Sequence, residues 1–225
     1  MGRCFLPAAL ALALAAGCGR AWYEPQERGG GDAGGDSPDG GASESDAGVF
    51  TTGGALADTF LSESEPGESF GDRAVLRTAR SPRATILLRF ALEVPAGATA
   101  RAVTLSVSTS GAGQDPSDVR VYRVFEDWSE EEASWELRAA GQAWATAGCG
   151  VGSRDAAARA ELAVEAAATR YQVALPTSVA QGWIDDPDSN HGLALIATSG
   201  SGVELVSSES GEPAERPSLA VEWTR

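Results

Sequence analysis

Residues 103–107 read Val-Thr-Leu-Ser-Val, with apolar and polar side chains in strict alternation. Because successive side chains of a β-strand point to opposite faces, this alternation predicts a strand with one buried face. Further runs of the same kind are separated by clusters of Gly, Pro, Ser and Asp, and they lie at residues 74–77, 86–90, 119–122, 193–196, 203–206 and 219–223. Short strands divided by turns predict an all-β antiparallel sandwich.

One short helix interrupts this pattern. Pro176 and Thr177 would open it, residues 178–184 would form it, and the sequence Asp-Asp-Pro at 185–187 would end it. Residues 156–168 also have helical propensity, but propensity alone does not decide between a helix and an irregular connection there.

The N-terminus has the features of an export signal. Arg3 is followed by an apolar run at residues 5–16, which is shorter than the roughly 20 residues that a membrane-spanning helix needs. The small residues before Cys18 look like a bacterial lipobox, in which residues 1–17 are removed and Cys18 is lipidated. Gly19, rather than an aspartate, follows the cysteine, and by resemblance to the sorting rule of Gram-negative lipoproteins this favours the outer membrane. An ordinary signal peptide with an incidental cysteine is the alternative interpretation.

Residues 18–50 are rich in Gly, Asp and Ser and have almost no aliphatic side chains. Such a segment cannot bury enough apolar surface to offset the entropy of ordering, so it predicts a disordered tether. Residues 51–225 follow it and are long enough for one sizeable core. We therefore expect an exported, lipid-anchored protein at the outer membrane or cell surface, with one folded domain.

Cysteine usage agrees with this organisation. Removal of the signal takes Cys4 and lipidation uses Cys18, so Cys149 has no partner and no internal disulfide is expected. Cys149 is either a buried small residue or a reactive thiol. No histidine lies near it in the sequence, which favours the first interpretation.

Several short motifs follow one another along the folded part, namely Ala57-Asp58-Thr59-Phe60, Leu87-Leu88-Arg89-Phe90, Trp128-Ser129-Glu130, Gly182-Trp183, Asn190-His191-Gly192-Leu193 and Ser207-Ser208-Glu209. In this order they resemble the DNRLRE-domain family, which includes carbohydrate-binding module family 96. The resemblance covers about residues 55–225. It implies a jelly-roll β-sandwich, opened by the Ala-Asp-Thr strand and closed with help from the Ser-Ser-Glu strand, that serves as a surface sugar-binding module.

The chain as a whole is strongly acidic, with a formal net charge of -15 at pH 7. A charge of this sign repels nucleic acid and anionic lipid headgroups. We therefore expect no nucleic-acid partner, and contact with a membrane only through the lipid anchor.

One stretch has the opposite charge. Residues 73–92 contain five arginines and no acidic side chain. They predict a hairpin that turns at Arg80-Ser81-Pro82-Arg83. On its first strand one face holds Arg73, Val75, Arg77 and Ala79, and Arg89 on the second strand can lie on the same face. Arginine binds carboxylates with a planar fork, so a patch of Arg73, Arg77, Arg80, Arg83 and Arg89 predicts binding of an anionic, uronate-type polysaccharide. The resemblance agrees, since its family includes modules that bind alginate. Solubilising arginines in a chain without lysine are the alternative.

Tryptophans are the second kind of candidate sugar contact. Trp128, Trp135 and Trp183 lie beside the motifs, and in a sandwich we expect them in the core. Trp144 lies in a less patterned stretch, which makes it the first candidate for an exposed ring that stacks on a sugar, with a place in the core as the alternative.

Asp58 and Glu209 are candidate metal ligands. Both occupy motif positions and offer the hard oxygen atoms that calcium prefers, so they allow a structural calcium ion. Capping of turns, or a salt bridge to arginine, would account for the same two residues. No other cofactor is expected.

Catalysis has little support in the sequence. His191 is the single histidine, it lies between Asn190 and Gly192, and no Gly-x-Ser-x-Gly nucleophile motif is present. The acidic run at residues 130–132 is typical of a solvated face. We therefore expect a non-catalytic carbohydrate-binding module, and the alternative is a structural or adhesive protein-binding sandwich of the cell envelope.

Overall fold

The computed structural model describes residues 47–111, 116–165 and 170–225, with the backbone alone for 47–52. These residues fall within one compact unit, Ser43–Arg225. The predicted signal peptide, Cys18 and residues 18–46 of the predicted tether lie outside the described residues. Within the described part, no helix has the length and apolar character needed to cross a bilayer.

Strands dominate the described residues, and their order along the chain is β1 (Ala47–Ser62), β2 (Val75–Arg80), β3 (Arg83–Phe90), β4 (Thr99–Ser108), β5 (Ser117–Arg123), β6 (Leu137–Ala139), β7 (Gln142–Ala143), β8 (Ala160–Val164), β9 (Arg170–Leu175), β10 (Leu193–Ala197), β11 (Val203–Val206) and β12 (Ser218–Thr224). The α-helix α1 spans Thr177–Asp185, and short 3-10 helices span Pro187–Ser189 and Pro213–Glu215. The predicted all-β jelly-roll sandwich with one short helix is confirmed.

The main sheet has the order β8-β5-β10-β3-β1-β12-β4-β9, and its pairs are antiparallel. β1 belongs to two layers, because residues up to Gly54 pair with β12 and residues from Ala55 pair with β3. The register shifts between Ala55 and Ala57, which leaves Leu56 exposed at the bend. The bend in β1 thus folds one long sheet into a sandwich.

The main core lies between the two layers. Alternate residues of β3 and β4 point into it, with Ile86 and Leu88 from one strand and Val103 and Leu105 from the other. Helix α1 adds Trp183, as predicted for this tryptophan. The alternation read at residues 103–107 therefore marks the buried face of a strand.

A second cluster covers the opposite face of β3 and β10. The connection between β5 and β8 (residues 124–159) folds back over this face and buries its own tryptophans there. This outer cluster consists of Leu61, Leu87, Tyr122, Val124, Trp128, Ala133, Trp135, Trp144, Cys149 and Ala194. Trp128 and Trp135 are buried as predicted. Cys149 is also buried, and the desolvation of its thiol raises its pKa to about 12.

Strand β2 pairs with β3 only beside the turn that joins them. Ala79 and Arg80 pair with β3, while Thr78 inserts its hydroxyl, donating to the carbonyl of Ala84 at 3.0 Å and accepting the N–H of Ala197 at 2.8 Å. The hairpin with its Ser-Pro turn is confirmed. The predicted common face is not continuous, because Val75 and Arg77 are exposed whereas Ala79 is buried where β2 bends away to pair with β11.

Candidate functional site

The end of the β2–β3 hairpin forms one wall of a cavity of about 250 Å³. Arg80 and Arg83 face each other across the hairpin and line this cavity together with Arg154, which the β5–β8 connection supplies. The ring of Trp135 and the backbone of Gly148 complete the wall. None of the described residues that line this cavity is acidic. Three arginines therefore line one small opening in an acidic protein.

Arg83 is fixed by a carboxylate and a ring. Its Nε and Nη2 donate to the two carboxylate oxygens of Glu63 at 3.1 and 2.6 Å, and its backbone N–H donates to the same side chain. The guanidinium also lies over the ring of Trp135, 5.1 Å from the ring centre. These bonds hold the pKa of Glu63 down at about 2. Arg83 therefore binds a carboxylate through its planar fork.

Arg154 is fixed by an aromatic ring. Its guanidinium lies 3.8 Å from the ring centre of Tyr122, and its Nη1 donates to the carbonyl of Asp155 at 2.8 Å. Its Nε is buried and has no hydrogen-bond partner among the described residues. Arg154 is thus oriented by packing against Tyr122.

Of the predicted arginines, Arg77 and Arg80 are exposed and form no ion pair with a described residue. Arg73 lies 3.6 Å from Asp72, before β2 begins. Arg89 lies toward the other end of β3, outside this cavity. The structure therefore brings Arg80 and Arg83 together at one opening, with Arg77 nearby on β2.

Arg89 packs against Trp128 of the outer cluster. It donates to Asp127 at 2.9 Å and to the carbonyl of Trp128, and its guanidinium lies 4.6 Å from the centre of that ring. Its side chain is only 21% exposed. These contacts anchor the β5–β8 connection to β3.

Trp144 is buried, so the prediction of an exposed stacking ring is wrong. Only 5% of the residue is exposed, and the indole Nε1 donates to the carbonyl of Ser134 at 2.9 Å. The reason is the path of the β5–β8 connection, which folds its unpatterned stretch onto the outer cluster. Neither face of this ring is available to a sugar.

A second charged site lies where β1 meets two turns. Asp58, Glu130 and Glu209 each contribute a carboxylate oxygen, and these oxygens lie within 4.8 Å of one another. Asp58 is fully buried, Glu130 is half-buried, and Glu209 is exposed. We call these three residues the carboxylate cluster. Sequence reasoning found Asp58 and Glu209 and missed Glu130, although the Trp-Ser-Glu motif contained it.

Hydrogen bonds join Asp58 to Glu130 and to Ser208. Oδ2 of Asp58 accepts the N–H of Ser208 at 2.8 Å, and the N–H of Asp58 donates to Glu130 at 2.7 Å. Oδ1 of Asp58 is buried without a hydrogen-bond partner among the residues that the structure describes. Burial, reinforced by the charge of Glu209, raises the pKa of Asp58 to about 7, and burial also raises the pKa of Glu130. Of the two alternatives to a metal, turn capping accounts for one oxygen of Asp58.

A cavity of about 470 Å³ adjoins the carboxylate cluster. Glu130 and Glu209 line it together with Gly71 and the neighbouring acids Asp72 and Glu131. A side chain at Gly71 would lie 2.2 Å from the carbonyl oxygen of Glu130, so only glycine allows this close approach. The close contact with the Gly71 backbone therefore fixes the position of Glu130.

His191 has a structural position. Its backbone carbonyl accepts the indole N–H of Trp128 at 2.9 Å, which ties the turn before β10 to the outer cluster. Its Nδ1 lies 3.9 Å from Asp127, and burial is the main cause that lowers its pKa. Gly192 follows with a φ of +83°, where a side chain would meet the carbonyl of Leu88.

The comparison with known families agrees with the predicted family. No curated protein matches the chain. The profile of carbohydrate-binding module family 96 matches residues 50–222, which is most of the sequence and all but the ends of the described sandwich. This match identifies the chain as a carbohydrate-binding module. The protein belongs to carbohydrate-binding module family 96.

Proposed function

We propose that this module binds an acidic, uronate-type polysaccharide at the cavity between the β2–β3 hairpin and Arg154, without catalysing a reaction. The observation that carries the proposal is the convergence of Arg80, Arg83 and Arg154 on one opening that has no acid among its described lining residues. The chain as a whole is acidic, with a formal net charge of -15. A polyanion would therefore be attracted to this opening and repelled from most other surfaces.

The chemistry of arginine suits this ligand. A guanidinium presents a rigid fork of N–H donors that matches a carboxylate, and it stacks on aromatic rings more readily than an ammonium group does. Arg83 and Arg154 both lie over rings, which orients them before a ligand arrives. Less side-chain entropy is then lost on binding.

The pair between Glu63 and Arg83 indicates how a uronate would be held. Glu63 already fills the fork of Arg83 with two short hydrogen bonds. A uronate carboxylate would bind Arg80 and Arg154 first and would compete with Glu63 for Arg83. The exposed Arg77 on β2 would contact a further sugar of the same chain.

The binding experiment uses the full-length protein and a set of soluble glycans. We expect a polyuronate to bind and a neutral glucan to bind at least tenfold more weakly. Affinity for the polyuronate should fall with added salt, because the Debye length shortens to about 8 Å at physiological ionic strength. Binding that ignores salt would contradict the arginine site. Binding to no glycan would favour the alternative, an adhesive or structural module that contacts proteins.

We also propose that the module is exported and held at the outer membrane or cell surface by a lipid on Cys18. Support comes from the apolar run and the small residues that precede this cysteine. Several acyl chains anchor a protein stably in a bilayer. Replacement Cys18→Ser should move the protein out of the detergent phase in phase partitioning. An unchanged distribution would contradict the anchor.

A further inference from the structure

We propose that Asp58, Glu130 and Glu209 bind a calcium ion that joins β1, the turn after Trp128 and the turn after β11. This site is separate from the arginine cavity and does not depend on the proposed ligand. It is argued from the distances among the three carboxylates and from an unpartnered buried oxygen.

The distances fit a single ion. Calcium binds oxygen ligands at about 2.3–2.6 Å, so two oxygens on opposite sides of one ion lie about 4.6–5.2 Å apart. The three carboxylate oxygens lie within 4.8 Å of one another. One ion can therefore contact all three without a movement of the strands.

The second observation is the state of Asp58. The residue is fully buried, and its Oδ2 accepts a hydrogen bond from the N–H of Ser208. Its Oδ1 is buried, and no described residue forms a hydrogen bond with it. A buried carboxylate oxygen without a partner is costly, because the lost hydration is not replaced. A cation at the carboxylate cluster would replace the lost hydration of this oxygen.

No cationic side chain in the described part of the chain does this already. None of Asp58, Glu130 and Glu209 forms an ion pair with an arginine of the described residues. Arg89 is close enough to lower the pKa of Glu130, but its guanidinium is taken up by Asp127 and the carbonyl of Trp128. The negative charge of the cluster is therefore left for an ion to balance.

The ligand set favours calcium. It consists of carboxylates alone, with no thiolate or imidazole, and such oxygen sets select hard cations. Calcium accepts six to eight ligands in irregular geometry, whereas magnesium demands a near-ideal octahedron. The adjoining cavity of about 470 Å³ gives water access to complete the coordination.

The consequence is a staple between distant parts of the chain. The backbone N–H of Asp58 already bonds to Glu130, 72 positions away, and its side chain bonds to Ser208, 150 positions away. An ion that binds the folded state alone would stabilise it by mass action. At a calcium concentration of about 100 times Kd, the melting temperature should rise by about 5–10 °C.

The experiment titrates calcium chloride into the full-length protein after treatment with EDTA, followed by calorimetry and by thermal melting. We expect one ion per chain and the stated rise in melting temperature, with a smaller response to magnesium. Glu209→Gln is the main variant, because Glu209 is exposed and its loss should leave the fold intact. It should weaken calcium binding at least tenfold, and Glu130→Gln should do the same.

Glu131→Gln is the matched control, because Glu131 lines the same cavity but lies outside the carboxylate cluster. It should bind calcium within about twofold of the wild type. Absence of binding heat and of a melting shift in the wild type would overturn the proposal. An equal loss in Glu131→Gln and Glu209→Gln would also overturn it, since it would reduce the site to a diffuse acidic surface. Polyuronate binding, measured in EDTA on the same proteins, tests the arginine cavity separately.

Discussion

The two charged sites of this module differ in how their charges are balanced. At the arginine cavity each fixed guanidinium has a partner, with Glu63 and the ring of Trp135 holding Arg83 and the ring of Tyr122 holding Arg154. At the carboxylate cluster like charges converge on a buried oxygen that has no partner. The first site is stable as it stands and exposed to exchange with a ligand. At the second site, the proposed calcium ion would supply the partner that the buried oxygen lacks.

Both sites depend on a glycine that lets the backbone come close to a functional residue. At the arginine cavity this is Gly148, packed against the ring of Trp135, and at the carboxylate cluster it is Gly71, packed against Glu130. Replacing each glycine by alanine tests the two sites separately, because each has a control glycine with open space around it.

The largest effect is expected from Gly148→Ala. Its φ is +70°, and the new methyl group would lie 2.4 Å from the ring of Trp135. Strain and overpacking together should lower the free energy of unfolding by about 2–4 kcal/mol. Gly141→Ala is the control, since Gly141 has a φ of +69° but no neighbour within 4 Å. Urea denaturation should show a loss of only about 1 kcal/mol for the control, and equal losses would contradict tight packing behind the cavity.

A smaller effect is expected from Gly71→Ala. The methyl group would displace the backbone of Glu130, so the variant should lose about 1–3 kcal/mol of stability together with its response to calcium. Gly67→Ala, at a position with no neighbour within 4 Å, should keep both. Thermal melting with calcium and with EDTA measures the two quantities. A calcium response retained in Gly71→Ala would contradict the role of Glu130.

Glu63→Gln should strengthen the binding of a polyuronate at the arginine cavity. Removing this charge frees the fork of Arg83 for a uronate carboxylate, and the exposure of both side chains limits the gain to about two- to fivefold. Glu161→Gln is the control, because Glu161 pairs with Arg120 at the edge strand β8. Isothermal titration with a polyuronate should show the gain in Glu63→Gln alone. A loss of affinity there would mean that Glu63 positions Arg83 rather than competing for it.

The smallest effect concerns acid stability. The lowered pKa of Glu63 means that its ion pair stabilises the fold at pH values above the unfolded pKa of 4.5, and that this contribution is lost as the pH falls toward 2. The wild type should therefore melt slightly above Glu63→Gln at pH 7, and the difference should vanish near pH 2. A difference that persists at pH 2 would assign it to packing instead of charge.

The sequence predicted those parts of the fold in which a strand carries its own pattern. The alternation at residues 103–107 gave the buried face of β4, and the Pro-Thr start with the Asp-Asp-Pro stop gave α1 within one residue of its bounds. Residues 156–168 have an alanine-rich, helix-favouring composition, yet Ala160–Val164 forms β8. Pairing with β5 decides this segment, and tertiary pairing is not visible in local propensity.

The sites were predictable only where one local segment carries the chemistry. Arg80 and Arg83 stood out because they flank a turn, whereas Arg154 reaches the same cavity through the β5–β8 connection, far along the chain. The same connection buries Trp144 and brings Glu130 to Asp58. In the sequence, Glu130 belongs to an acidic run that looks like a solvated surface. The β5–β8 connection, folded over the sheet, thus explains why Arg154 and Glu130 were missed and why the prediction for Trp144 was wrong.

The most direct test of the central claim compares two double variants of equal charge. Arg80→Gln with Arg154→Gln removes two guanidinium groups from the cavity, and Arg101→Gln with Arg120→Gln removes two exposed arginines from β4 and β5. Each charge-assisted hydrogen bond contributes about 1.5–3 kcal/mol, so the cavity variant should bind a polyuronate at least about tenfold more weakly than the wild type. The control should bind within about twofold. Equal losses in the two variants would show that overall charge, and not this cavity, binds the polysaccharide.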